Sequence, residues 1–180
     1  MQTTSFDRAV GDDTGPRLTT RSRAQLRLRP AGLGDGHLLA DFFSGLSLED
    51  LRFRFLGTRR LPTAQDAEAM LDVDQGRNAH ILAFDIATGV LVASLMLVAN
   101  PRIGTAEVAV AVASEWKGHG VGWTLLRHAG DLASGRGLKK LRSVESLARH
   151  DALEFESVPG FRARPLDDDT RLILVEADLG

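Results

Sequence analysis

The stretch TAEVAVAVASEWKGHGVG, residues 105–122, runs straight on into WTLLRHAGDLA, residues 123–133. From Glu107 to Val112 valine alternates with glutamate or alanine, the pattern of a β-strand. From Val121 the period changes, and Val121, Leu125, Leu126, Ala129, Leu132 and Ala133 recur along one side of a helix. Strand, glycine-rich turn and helix are thus directly joined. At such a junction the first N–H groups of the helix lack internal partners, and the summed peptide dipoles leave a partial positive charge suited to a phosphate. Gly118, Gly120 and Gly122 remove the side chains that would hold an anion away, while Lys117 and His119 add positive charge. The run is neither the G-x-x-x-x-G-K-[ST] nor the dinucleotide G-x-G-x-x-G pattern, and a tight turn that needs glycine only for its backbone angles reads the same way.

Upstream of this block lie two further β-rich runs, Ala79 to Asp85 and Val90 to Val98, parted by the hairpin turn Ile86-Ala87-Thr88-Gly89. Asn100 to Gly104 makes the next turn, so three consecutive antiparallel strands are predicted. Earlier still, Leu26 and Leu28 alternate with Arg27 and Arg29 in a strand closed by Pro30. Asp35 is the predicted N-cap of a helix carrying Leu38, Leu39, Phe42, Phe43 and Leu46 on one face. Ser47 opens a second helix, Leu48 to Phe55, stopped by Gly57, and Thr63 opens a third that runs to about Leu71. Downstream, Gly135 and Gly137 close the long helix. A short strand near Leu141 to Val144, a helix around Asp151 to Ser157, the break Pro159-Gly160 and two strands about Asp167-Asp168-Asp169 complete the chain. The order predicts an α/β fold: a mixed, mostly antiparallel sheet flanked by helices.

The 180 residues, 43% of them hydrophobic, suffice for one core and one domain, read here as residues 24–180. Residues 1–23 are rich in Thr, Ser, Asp, Gly and Arg without apolar periodicity and predict a mobile tail. The formal charge is −2, with both signs scattered, so no overall field points to nucleic acid or an anionic membrane. There is no cysteine, and the five histidines do not fall at metal-ligand spacings, so no metal is expected. Neither a secretory signal nor a membrane span is evident, which makes the cytoplasm the expected location.

The motif Lys117-Gly118-His119-Gly120-Val121-Gly122 resembles the Q/R-x-x-G-x-G/A cofactor motif of the GCN5-related N-acetyltransferase (GNAT) superfamily, which follows that family's fourth strand. The likeness extends over about Gln25 to Leu179. LRLRPAGLGD resembles the family's opening, LSLEDLRFRF its second helix, AEVAVAVASEWKGHGVG its core block, and Gly160-Phe161 the pair after its fourth helix. Lys117 departs from the family's Gln or Arg and offers an ammonium where a planar donor is usual. The resemblance implies splayed central strands and acetyl-CoA as cosubstrate. It implies cofactor contacts by Val112, Lys117, Gly118, His119, Gly120, Val121, Gly122, Trp123 and His150, with Val112 on the strand beside which the pantetheine arm would lie. His150 is equally readable as an ordinary residue at a helix start. The acceptor would be a primary amine, on a small molecule or a protein lysine; a homodimer is an allowed assembly.

Transfer to an amine requires its neutral form, and a lysine-like amine has a reference pKa of about 10.4, so a base must take its proton. Glu107 shares its strand face with Ala109, Ala111 and Ala113, which leaves room beside the carboxylate. Read alone, it is as well a solvated glutamate at a strand end; the resemblance gives it the part of general base. The family often protonates the leaving thiolate with a tyrosine, but this chain has none, and the matching position is Phe155 or Glu156. Water can serve, given a thiol pKa near 8.5. Arg52, Arg54, Arg59 and Arg60 cluster in the segment that borders the family's acceptor site, and Asp167 to Asp169 form an acidic loop; both read first as solvated surface. Two other readings fit the turn: a non-catalytic acyl-CoA sensor and a regulator that binds another nucleotide.

Overall fold

The computed structural model describes residues 15–47, 50–51, 61–71, 78–146, 160–166 and 169–180. Eight strands form one sheet: β1 Arg17–Thr19, β2 Gln25–Pro30, β3 Asn78–Asp85, β4 Leu91–Asn100, β5 Thr105–Val112, β6 Lys140–Ser146, β7 Phe161–Leu166 and β8 Asp169–Asp178. Their spatial order is β1-β2-β3-β4-β5-β6-β8-β7. Every pairing is antiparallel except β5 with β6, which run parallel as a strand–helix–strand crossover demands. The helices are α1 Gly36–Ser44, α2 Ala64–Ala69 and α3 Val121–Gly135. Asp50 and Leu51 are also helical, and the rest of the helix expected at Leu48 to Phe55 lies outside the described residues.

Alternation divides the core in two. On one face Leu95, Leu97, Ala106, Val108 and Val112 pack against Val121, Trp123, Leu125, Leu126, Ala129 and Ala133 of α3. On the other, Leu82, Phe84 and Ala111 meet Leu39 and Phe43 of α1 and Ala67 of α2. At about 25 cal/mol per Å² of apolar surface removed from water, each buried Leu or Phe contributes roughly 1.5–3 kcal/mol, so these two layers hold the sheet between its helices. Trp123 also sets its ring edge-on to Phe161 of β7, with centroids 4.9 Å apart, tying the start of α3 to the far edge of the sheet.

Two expectations are corrected. The segment read as a tail to Arg23 contains a strand: Arg17, Leu18 and Thr19 pair with Arg27, Leu26 and Gln25. Three residues are too few for a periodic signal, and the pairing comes from β2 alongside. Asp35 does stand at the N-cap of α1, but its side chain makes no capping bond. It takes the Arg29 guanidinium on both oxygens, at 2.7 and 2.8 Å, and the Gly32 N–H at 2.8 Å. The exposed donors at the start of α1 go instead to Glu68 of α2, which accepts from the Gly34 and Gly36 N–H groups at 2.7 and 2.8 Å. At Thr63 the predicted cap is present, as a reciprocal capping box with Asp66.

Candidate active site

The site is built where β5 leaves β6 and enters α3. The parallel ladder runs only from Thr105↔Lys140 to Val108↔Ser143, although β5 continues to Val112 and β6 to Ser146. Past Val108 the two strands are splayed. Beyond the gap, Ser114–Trp116 make a single 3-10 turn, and Gly118 and Gly120 take φ values of +77° and +75°, which L-residues adopt only with strain. Gly120 is the N-cap of α3, with no side-chain cap and no acidic residue in the first turn. Thr124 is the first residue to bond back, its N–H reaching the Gly120 carbonyl at 3.0 Å. The N–H groups of Val121, Gly122 and Trp123 precede that bond, so this end of α3 keeps the positive pole that favours an anion.

The other residues of the motif that the structure describes lie at or beside this turn. Val112 is buried, and a Cβ added at Gly122 would stand 3.7 Å from its Cγ2, so the two line adjacent parts of one wall. Val121 is core. Trp123 has its ring in the core, so what it offers the turn is its backbone. His119 is exposed, with its ring centroid 5.7 Å from that of Trp116 and its Nδ1 3.1 Å from the Lys117 carbonyl oxygen. Lys117 does not stand over the turn as a lone cation: its Nζ forms an ion pair with Asp50 Oδ2. Asp50 is in turn fixed by Ser47, whose hydroxyl donates to Oδ2 at 2.6 Å and accepts from the Asp50 N–H at 3.2 Å. The pair joins the glycine turn to the helical residues Asp50 and Leu51.

Glu107 lies on the sheet face away from α3. It is exposed, with Val98 of β4 and Arg142 of β6 opposite it. Val98 and Val144 are among the exposed large hydrophobic residues, and Ala109 is half-buried, so the carboxylate has an open, partly apolar surround. Arg142 is held by Glu176, whose Oε1 accepts from its Nε at 2.8 Å, and Arg164 approaches the other oxygen at 3.5 Å. Burial works to raise the Glu176 pKa, and the two guanidinium groups overcome it and hold the carboxyl below its ordinary range. His150, Phe155, Glu156, the arginine cluster 52–60 and the loop residues Asp167 and Asp168 lie outside the described residues.

Sequence reading missed three features here. Ser22 donates its hydroxyl to the His119 carbonyl at 3.0 Å, which brings the supposed tail onto the glycine turn. Asp50 could have been flagged by the S-x-x-D spacing from Ser47, though its partner 67 residues on could not. His80 and Ser94, buried on neighbouring strands with Nε2 and Oγ 2.8 Å apart, read locally as ordinary strand positions. Among the described residues no cluster of His, Cys, Asp and Glu could hold a metal ion, and no helix is long and apolar enough to cross a membrane.

A family model described as the acetyltransferase (GNAT) family matches residues 46–155, more than half of the chain. The chain belongs to this family. An acetyltransferase from Pseudomonas aeruginosa is 28% identical over 149 residues, covering 81% of this chain and 80% of that protein. The GNAT domain of PAT from S. lividans has the same fold, with a TM-score of 0.75 at 21% identity over 91% of this chain and 96% of that one. The PaiA N-acetyltransferase from Thermoplasma acidophilum, solved in complex with coenzyme A, superposes with a TM-score of 0.61 at 16% identity, over 85% of this chain and 98% of that one. The mixed, mostly antiparallel sheet with helices on both faces is the GNAT fold expected from the sequence.

Proposed function

We propose that this GNAT protein transfers an acetyl group from acetyl-CoA to a primary amine, carried by a small molecule or a protein lysine. The observation that supports it most is the junction of splayed strands with an uncapped helix start: a gap for an extended arm ends at a turn that favours phosphate. The turn has room for such a group, because a Cβ at Gly118 would meet nothing within 4 Å and one at Gly122 would meet only Val112. In this reading the N–H groups of Val121, Gly122 and Trp123 hold the pyrophosphate, and the free edge of β5 past Val108 pairs with the pantetheine arm. His150 is a further contact proposed from the family motif alone.

The cosubstrate supplies an activated thioester carbonyl. The chain's own task is to deliver a neutral amine to it, and Glu107 is the carboxylate on the open face that can take the proton. Val98 and Val144, exposed on either side, would bear on an apolar stem of the acceptor. With no tyrosine in the chain, water is the proton source left for the departing thiolate. The reading is tested by incubating the full chain with acetyl-CoA and panels of amines and lysine peptides, following mass gain of 42 Da, roughly one acetyl in place of one proton. Acetylated product above the uncatalysed background is expected. Tight binding of acetyl-CoA with no product from any amine would make the protein a sensor.

A further inference from the structure

Glu107 shares one row of the sheet with three other charged residues. The register sets Val98 of β4 beside Glu107, Glu107 beside Arg142 of β6, Arg142 beside Glu176 of β8, and Glu176 beside Arg162 of β7. Arg142 thus has a carboxylate on either hand. Opposite charges on neighbouring strands attract, yet Arg142 gives its Nε to Glu176, at 2.8 Å from Oε1. Arg164 approaches the second oxygen at 3.5 Å, so two guanidinium groups flank Glu176. Glu107 is exposed and forms no ion pair among the described residues, although Arg142 is its partner in register. Lys140, the preceding cation on this face of β6, stands one rung away, opposite Thr105.

The backbone accounts for the choice. β6 keeps its ladder with β8 from Lys140 to Ser146, whereas its ladder with β5 ends one residue past Glu107, at Val108↔Ser143. Where the strands part, β6 stays with β8, and the side chain of Arg142 goes with it. Glu107 is left open beside the splay. A guanidinium resting on it would oppose its proposed task twice over. A carboxylate so paired is a weaker base, since the pairing favours its charged form, and the oxygens that an approaching amine needs would be occupied.

Resting on the amine-acetylation reading above, we propose that Glu176 is a positioning residue, which by holding Arg142 keeps Glu107 open to the acceptor amine. Its part is played through Arg142 and not by contact with a substrate.

The test compares the full chain with Glu176→Gln and with the double variant Glu176→Gln/Arg142→Gln, using an amine that the wild type acetylates and saturating acetyl-CoA. Melting temperatures and calorimetric binding of coenzyme A serve as controls. Glu176→Gln should lower kcat/KM for the amine about tenfold, a part of the hundredfold to ten-thousandfold that a base supplies, with coenzyme A bound as before. Removing Arg142 as well should restore most of the rate. Salt at about 1 M should narrow the gap between the single variant and the wild type, because an exposed pair is screened. A crystal structure of Glu176→Gln should show Arg142 within about 4 Å of Glu107, as an ion pair requires. Full activity in Glu176→Gln, or Arg142 still turned away from Glu107 there, would overturn the proposal and leave the acetylation reading standing. A loss that the double variant shares would also overturn it, by giving Glu176 a structural part alone. Wild-type protein inactive on every amine would overturn the acetylation reading itself, and the proposal with it.

Discussion

At the scale of single residues, the proposed reaction asks most of Glu107. Glu107→Gln preserves shape while removing the proposed base, so turnover at neutral pH should fall about a hundredfold to ten-thousandfold. Binding of coenzyme A should be unchanged, because the proposed phosphate turn leads into α3, which packs on the other face of the sheet. The neutral fraction of an amine rises about tenfold per pH unit below a pKa near 10.4, so the variant should regain rate as pH rises. A pH–rate profile of the two proteins checks this, and equal turnover at pH 7 would take Glu107 out of the mechanism. The glycines need a finer instrument than bulk. Gly120 has a positive φ and touches Arg21, so a side chain there would strain the fold as well as the site. Gly122 is helical, with only ordinary contact ahead of it. An aspartate at this position replaces glycine and places an acid in the first turn, each favourable to the helix by about 0.3–1 kcal/mol, yet its charge opposes a phosphate. Gly122→Asp should therefore melt no lower than the wild type and lose affinity for coenzyme A. Normal binding by a folded variant would move the phosphates elsewhere. The glycine motif itself could be read from sequence because its spacing is local. The partners of Lys117 and Gly120 could not, since Asp50 and Arg21 are brought to them only by the fold.

At the scale of elements, the strands and helices with clean periods were legible to within a residue or two: Thr105–Val112 lies where the alternation puts it, and α3 where the apolar stripe does. What escaped was decided by neighbours. Arg17–Thr19 is a strand because β2 offers it a ladder, and Asp35 gives up capping because Arg29, stacked 5.1 Å from the Phe84 ring, competes for its oxygens. Burial opposes ionisation of Asp35, but the bonds from Arg29 and Gly32 outweigh it and hold its pKa low. That stabilisation is complete above the unfolded value of about 3.9 and is lost only in acid. His128 on α3 acts in a milder range. Burial pushes its pKa down, partly offset by Asp131. Below its unfolded value of about 6.5 the unfolded chain takes up a proton that the folded chain resists, so stability should decline as pH falls from 7 toward 5. His128→Gln removes the titrating group. Its melting temperature should vary less over that interval, and parallel curves for the two proteins would show that His128 carries none of the dependence.

At the scale of the whole molecule, the proposed cosubstrate would tie together parts that are far apart in sequence. The splayed ends of β5 and β6 and the start of α3 meet only in the folded chain, so a ligand bound between them has almost no affinity for the unfolded state. Mass action then stabilises the fold by RT ln(1 + [L]/Kd), about 2.7 kcal/mol at a hundredfold excess over Kd. For a chain of this size each kcal/mol raises the melting temperature by about 2–4 °C, so acetyl-CoA at that excess should raise it by roughly 5–10 °C. Pantetheine, which has the arm but no phosphate, should give a much smaller shift at the same concentration, because it leaves the helix end without an anion. ATP separates this reading from a general nucleotide site: it brings phosphates but no arm for the gap past Val108, and should also fall well short of acetyl-CoA. The comparison needs only a thermal melt with each ligand. An absence of any shift with millimolar acetyl-CoA would sink the cofactor assignment, and equal shifts with ATP would turn the site into a nucleotide pocket.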